Sequence, residues 1–331
     1  MLICQAPYHL QFVLSERERL MAVGVQVDIL IVRVTKIYEF VLALQLPETR
    51  IFFYDSDFKV KPNHLWRVFR ERRQLRTFFA QYLPEGRYQV LHYFANAHDW
   101  ITGGILAKAD GSVQKKFRPV EVLDTATTTD QTGKETLKEK FQLTTLKAIS
   151  GVRFQVRMLM SGTRLYYFPY QKYGVESEPV SILPNAIKPY RKAYGTGEKA
   201  LLILDSHDDF FFSNYSKVIG SLIKKWKFEG YSIVVKGHPR LPLSACLKQL
   251  SDVVIDPALP SEFIDPKSFS FVVGSTSSGL ASFAREEEVA AYTIVDQLEF
   301  VDESRRGTTL ELLDKYSESK IKEWLSSGKK I

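Results

Sequence analysis

The 331-residue chain is poor in cysteine: Cys4 and Cys246 are its only two. Set so far apart, they offer neither a disulfide framework nor a metal-ligand spacing, and they read as reduced thiols. Long apolar stretches are missing too, none approaching the ~18 residues of a membrane span. The opening MLICQAPYHLQFVL has no basic leader and no small-residue cleavage site, so the chain is expected in the cytoplasm. Internal repeats and low-complexity tracts are absent. What remains is ordinary. Apolar residues make up 45% and charged residues 25%, the balance of a globular protein rather than a disordered or fibrous one. The length is about twice that of a usual domain, so two domains are expected.

Basic residues outnumber acidic ones 45 to 38, a net of +7, and the pI is near 9.1. The excess is uneven. Residues 1–199 hold 29 Lys and Arg against 19 Asp and Glu, a net of +10, whereas 200–331 hold 16 against 19, a net of −3. Bulk positive charge therefore belongs to the first part of the chain alone.

Strand and helix patterns alternate. Strands are expected at LIC (2–4), VQVDILIV (25–32), RIFFYD (50–55), YQVLHYF (88–94) and PVEVLD (119–124), with helical spacing between them, as over 64–83. The Pro- and Gly-rich stretch 175–199 reads as a linker. A second alternation follows: ALLILD (200–205), YSIVVKG (231–237), DVVID (252–256), FSFVVGS (269–275) and AAYTIV (290–295), with a terminal helix last. Two such halves imply α/β architecture with two Rossmann-like domains. In open α/β sheets ligands bind beyond the carboxyl ends of the strands, so residues just after a strand are the ones to inspect.

Four such segments carry chemistry. Lys236-Gly237-His238-Pro239-Arg240 follows SIVV; its cations and its glycine suit an anionic ligand, and Pro239 biases His238 toward an extended backbone. A solvated surface turn is the alternative. Gly274-Ser275-Thr276-Ser277-Ser278-Gly279 lies between a strand and a helix, where hydroxyls, free N–H groups and the helix dipole favour phosphate; plain N-capping is the alternative. It has neither a Walker GK[ST] nor GxGxxG spacing. Asp124 ends an apolar strand and is placed to take a proton from a hydroxyl, although an Asx turn would also explain it. Glu262 lies in a loop after DVVID, where capping competes with bonding to sugar hydroxyls. Ser206-His207-Asp208-Asp209 follows ALLILD, and its adjacent acids lack the DxD metal spacing. His9 follows the first strand's turn and is expected to line a cleft, whereas His64, His92 and His98 read as structural or loop residues.

In combination these residues resemble the bacterial sialyltransferases of glycosyltransferase families 52 and 80. Lys236–Pro239 matches their Lys-x-His-Pro segment, and Ser277-Ser278 their Ser-Ser pair. Glu262 falls between them, where family 80 places a nucleotide-binding glutamate, and ICQAPYHLQ is similar to the family 52 start. The family's Asp-Asp-Gly loop reads Asp124-Thr125-Ala126 here, so only the first carboxylate is kept. The resemblance implies a GT-B fold, two Rossmann-like domains with parallel sheets facing across a cleft. It implies an acceptor domain over 1–185, a CMP-binding domain over 186–310 and a terminal helix over 311–331. The reaction implied is inverting transfer of sialic acid from CMP-sialic acid to a hydroxyl of a galactose-type, lipid-linked surface glycan such as lipooligosaccharide, O-antigen or capsule. Asp124 would be the base and His238 the acid. Lys236, Gly237, Pro239, Glu262, Ser277, Ser278 and Ser206 would bind the donor, and Gln5, His9 and Thr125 the acceptor. No metal or other cofactor is implied. A related transferase using CMP-Kdo, CDP-glycerol or a UDP-sugar is the alternative.

The basic half needs its own account. Lys59, Lys61, Arg67, Arg70, Arg72, Arg73 and Arg76 stand against the single acid Glu71, interleaved with Trp66, Phe69, Phe78 and Phe79; residues 140–175 add six basic residues and no acidic one. A non-enzymatic nucleic-acid-binding protein would use such a half, but no nucleic-acid motif is present, so nucleic acid is not the expected partner. A basic amphipathic helix also suits the inner face of the cytoplasmic membrane, as a peripheral contact. A solvated helix face is the plainest reading. Self-association is compatible with the sequence.

Overall fold

The computed structural model describes residues 1–56, 65–94, 100–109, 111–118, 128–132, 136–151, 154–159, 164–169, 175–176, 180–194, 199–206, 208–238, 241–275, 277–285, 289–303, 306 and 322–323. The chain divides into two compact units, Met1–Ala186 and Ile187–Ile331.

The first unit runs β1 (Leu2–Cys4), α1 (Leu10–Ala22), β2 (Ile29–Val32), α2 (Thr35–Ala43), β3 (Ile51–Tyr54), α3 (Leu65–Tyr82), β4 (Val90–Tyr93), α4 (Trp100–Lys108), β5 (Gln114–Phe117), β6 (Thr128–Thr132), α5 (Leu137–Ser150), β7 (Phe154–Leu159), β8 (Arg164–Pro169) and β9 (Val175–Glu176). Its main sheet has the order β3-β2-β1-β4-β5-β9, every pair parallel. β1 and β2 are buried along their whole length, as continuous apolar runs must be when helices cover both faces. Local signals set the helix ends. Thr136 and Glu139 form a reciprocal capping box at the start of α5, and Gly151 closes it at φ 79°, a left-handed backbone that suits glycine.

After α6 (Pro184–Ile187), the second unit contains β10 (Ala200–Leu204), α7 (Tyr215–Phe228), β11 (Ser232–Lys236), α8 (Ala245–Leu250), β12 (Val253–Ile255), β13 (Phe271–Gly274), α9 (Ser278–Arg285), β14 (Ala290–Thr293) and β15 (Lys322–Glu323). Its sheet order is β12-β11-β10-β13-β14-β15, again all parallel. Counted within its own unit, each sheet therefore reads 3-2-1-4-5-6, the doubly wound Rossmann order. The α/β class and the two Rossmann-like halves expected from alternation are what the chain forms. Trp226, Tyr215 and Phe212 are fully enclosed between α7 and this sheet, with Ile203, Ile233 and Val273 beneath them.

Several details differ from the periodicity. β2 spans only Ile29–Val32; Asp28 just before it accepts from Leu2 N–H through its carbonyl at 2.8 Å, while its carboxylate accepts from Arg50 and Tyr88. β5, with Lys115 and Lys116 at its centre, is too polar to read as a strand, yet it pairs with β4 along four residues. The antiparallel sheet β6-β7-β8 takes in Thr128–Thr132 and part of the basic stretch 140–175. The expected strand 119–124 lies outside the described residues apart from neighbouring β5. Within the terminal helix expected over 311–331, the described residues are Lys322 and Glu323, and they extend the sheet beside Tyr292 and Thr293.

Candidate functional site

The second sheet reverses its strand order between β10 and β13, whose ends Leu204 and Gly274 are paired. The crevice beyond such a reversal is where open α/β sheets take ligands. The described residues that reach it are Asp205 and Ser206 after β10 and Ser275, Ser277 and the backbone of Ser278 after β13. Gly274 fits closely there: a Cβ would stand 3.3 Å from the Leu204 carbonyl oxygen, a tight contact. Ser277 is half-buried and its carbonyl accepts from Leu280 N–H at 2.9 Å, so it precedes the first turn of α9, which Ser278 opens. Free N–H groups at that end favour an anion.

Gly279 decides what faces this helix start. A Cβ on it would lie 2.6 Å from Ser261 Oγ and 2.9 Å from Ser261 Cβ. No side chain fits, so α9 presses directly on the short 3₁₀ turn Ser261–Phe263. That contact delivers Glu262. Its Oε1 accepts a hydrogen bond from Ser282 Oγ on α9 at 3.4 Å. Burial raises its pKa, while Lys236 and the neighbouring serines act in the opposite direction. Glu262 thus reaches across to α9 while also drawing on a backbone N–H and the Ser261 hydroxyl of its own turn.

Lys236 differs from the expected role. It ends a strand flanked on both sides by β10 and β12, so its side chain enters the interior and is 6% exposed. Nζ donates to the carbonyls of Gly237 at 3.0 Å and Pro257 at 3.4 Å. Burial depresses its pKa to about 8, with Glu262 and Asp256 opposing. The ammonium braces the loops after β11 and β12 from below and lends them positive potential; it is not an open phosphate ligand. Gly237 is buried, but a Cβ would meet Leu243 only at 3.4 Å, an ordinary contact. Its glycine is not demanded by close approach of protein neighbours. His238 follows, half-buried, its carbonyl accepting from Leu241 N–H at 3.4 Å.

Sequence reasoning gave little weight to a polar cluster beneath this edge. Asp205, 3% exposed, accepts from Ser244 N–H at 3.1 Å, from the Ser244 hydroxyl at 3.1 and 3.2 Å, and from Asp208 N–H at 3.3 Å. It therefore ties the end of β10 to the start of α8, closing the loop that carries His238. Asp208 and Ser275 are both 0% exposed. Among the described residues neither Asp208 carboxyl oxygen nor Ser275 Oγ makes a well-formed hydrogen bond, although the Ser275 and Tyr215 hydroxyls and the Ser206 N–H lie close to the carboxyl group. Burial pushes the Asp208 pKa up to about 7, the nearby Ser275 and Tyr215 hydroxyls lowering it and Asp205 raising it further. Below that pH the neutral acid adds no second negative charge beside Asp205. The available signal was an aspartate ending an apolar strand with another three residues on, which is also common in plain turns.

In the first unit the corresponding crevice lies beyond β1 and β4. Gln5 is half-buried and donates its backbone N–H to His9 Nδ1 at 3.3 Å. His9 itself is 1% exposed, its ring 4.3 Å from Tyr8 and 6.4 Å from Phe94. It organises the turn after β1 from inside and does not line an open surface. His92 also has a structural place: Nδ1 lies 3.2 Å from Glu16. Burial would raise the pKa of Glu16, but hydrogen bonds from His92, Arg19 and Arg118 outweigh it and hold the carboxyl at about 2. Asp124, Thr125, Pro239, His64 and His98 lie outside the described residues, as does the side chain of Ser278. Asp55-Ser56-Asp57 does have DxD spacing, but Ser56 donates to Glu71 at 2.7 Å and Asp57 is outside the described residues. Among the described residues no cluster of three His, Cys, Asp or Glu is placed to hold a metal ion, and no helix is long and apolar enough to cross a membrane. Burial raises the pKa of both free thiols, that of Cys4 to about 12.

No protein-family model matches the chain, and no curated protein does. Solved structures align along most of its length at low identity. The glycotransferase of kitacinnamycin is 11% identical, with a TM-score of 0.48, covering 99% of this chain and 86% of that one. UDP-GlcNAc 2-epimerase from Methanocaldococcus jannaschii, in complex with UDP-GlcNAc and UDP, is 12% identical with a TM-score of 0.42, covering 96% and 91%. The glycosyltransferase SnogD from Streptomyces nogalater is 10% identical with a TM-score of 0.39, covering 97% and 95%. At these values the functional reading must rest on the chain's own residues.

Proposed function

We propose that the chain is an inverting glycosyltransferase that moves sialic acid from CMP-sialic acid to a hydroxyl of a galactose-type, lipid-linked surface glycan on the cytoplasmic side of the membrane. The observation carrying this reading is the convergence, at the strand-order reversal of the second sheet, of the α9 N-terminus, Ser277 and the Glu262 turn that Gly279 admits. Glu262 accepts from nucleotide or ribose hydroxyls, and the helix start with Ser277 and Ser278 receives the phosphate. Ser206 borders the same crevice.

Asp124 takes the proton of the acceptor hydroxyl, whose oxygen attacks the anomeric carbon from the face opposite CMP. The bond to the phosphate oxygen breaks, and the phosphate leaves with the electron pair. His238 donates a proton to it, while the helix N–H groups and serine hydroxyls meet the remaining charge. Lys236 acts from beneath, holding the His238 loop and adding positive potential. Gln5 and Thr125 contact the acceptor, and His9 only shapes the turn that presents Gln5. With these donors the transfer needs no metal. A positioned base of this kind is worth roughly 10²–10⁴ in rate.

CMP release from CMP-sialic acid tests the reading. Asp124→Ala and His238→Ala should each slow it by at least 100-fold in that range, and undiminished turnover in both would sink the roles. A thermal-shift panel of CMP, CDP and UDP conjugates tests the donor: preferential stabilisation by a UDP-sugar would replace CMP-sialic acid with that donor class.

A further inference from the structure

Helix α3 turns one face inward and leaves the other exposed. Glu71, Leu75 and Phe78 are buried at 2%, 0% and 7% exposure, with Tyr82 continuing the same face. At about 100° per residue, Phe69, Arg72, Arg73 and Arg76 fall on the opposite side, within a stripe about 100° wide and about 10 Å long. All four are exposed, and Phe69 is 75% exposed with no ring contact among the described residues. The spacing i, i+3, i+4, i+7 that normally marks a core-facing stripe is here occupied by one aromatic and three guanidinium groups pointing to solvent.

No acid among the described residues balances the charge of this face. Among the described residues, none of Arg72, Arg73, Arg76 or Lys108 forms an ion pair with a carboxylate. The helix's one acid, Glu71, points inward, taking Ser56 at 2.7 Å and Arg70 at 3.5 Å. Lys108, ending α4, belongs to the same cluster: burial first, then the charges of Arg76 and Arg72, lower its pKa. Like charges held this close together gain when an anionic surface approaches. Guanidinium groups also suit phosphate, which they can grip through paired N–H donors.

We propose that this stripe, Phe69, Arg72, Arg73 and Arg76 of α3 with Lys108 of α4, docks the protein onto an anionic phospholipid surface. Phe69 enters the boundary between headgroups and acyl chains while the cations contact lipid phosphates. A single exposed aromatic gives one apolar anchor but no successive platform of the kind that stacks single-stranded bases. The inference does not depend on which sugar the protein transfers.

Sedimentation of the full chain with phosphatidylcholine vesicles, with and without phosphatidylglycerol, tests it in the absence of any nucleotide or acceptor. Binding should require phosphatidylglycerol and weaken steeply with salt. Combined Arg72→Gln, Arg73→Gln and Arg76→Gln should lower partitioning on the order of 100-fold, about fivefold per arginine. Phe69→Ser alone should lower it several-fold. A charge-matched control, Lys217→Gln, Lys224→Gln and Lys225→Gln on α7, should leave it unchanged. CMP stabilisation, measured separately on each variant, reports folding and donor binding independently. Four results would each overturn the proposal: no vesicle binding, equal binding to neutral vesicles, equal loss in the α7 control, or tighter stripe-dependent binding to duplex or single-stranded nucleic acid at the same salt.

Discussion

Asp208 is a carboxyl group with no exposure and no well-formed hydrogen bond to either oxygen among the described residues, and its substitution by asparagine gives the sharpest test of the energetics. Burial raises its pKa from 3.8 to about 7. Between those values the folded state holds a proton that the unfolded chain has released, so stability falls as pH rises through the window. Above it the full cost of the buried carboxylate is present, roughly 4 kcal/mol for a pKa raised from 3.8 to about 7, and less if water enters. Asp208→Asn keeps the shape, cannot ionise, and can donate an amide N–H toward the Asp205 carboxylate. Urea unfolding of both proteins should show them within ~1 kcal/mol of each other near pH 4.5. Near pH 8.5 the variant should be more stable by about 2–4 kcal/mol. An identical pH slope in the two proteins, or a variant that is less stable at the higher pH, would refute the assignment of a buried, proton-holding acid at the end of β10.

Further expectations concern the same edge and the first strand. Gly279→Ala drives a methyl into Ser261 and should cost about 1–3 kcal/mol; CMP-dependent stabilisation should fall with it, because the Glu262 turn must move, and an unchanged thermal midpoint would contradict the contact. Asp205→Ala strands the Ser244 N–H and hydroxyl and should cost about 2–4 kcal/mol in denaturant unfolding, with Asp205→Asn recovering part of it. Lys236→Met removes a buried ammonium but leaves the Gly237 and Pro257 carbonyls without their donor. Because the folded pKa is depressed to about 8, the wild type should gain stability as pH rises from about 8 toward 10.5, and the variant should lose that gain. Cys4, whose thiol is buried with its pKa near 12, should resist maleimide labelling at neutral pH while Cys246 reacts, as mass spectrometry of the native protein would show.

Much of the second unit is legible because its strands are short, apolar and separated by clear helical spacing. β10, β11 and β13 need no partner information to be recognised, and the polar residues after them are therefore located as well. β5 and the β6-β7-β8 sheet are not legible: lysines and threonines mask their pattern, and only pairing with neighbours makes them strands. The candidate site divides in the same way. Placing Ser277 at a helix start is a local matter, settled by the strand-to-helix switch. Moving Lys236 from the open site to a brace beneath it depends on its central position between two neighbouring strands. Turning His9 inward depends on Phe94, which is 85 residues away in the sequence.

The sequence by itself determined the α/β class, the two halves, the unequal charge and the small set of polar residues that follow strands, since all of these rest on local composition and period. Tertiary structure alone decided which of those residues share one edge. It also decided that Glu262 meets α9 through a glycine with no room for a methyl, that Asp208 has no access to water, and that three arginines of α3 point away from the core. Burial and proximity arise when distant segments pack, and the free energies that follow from them, desolvation above all, have no value until that packing is known.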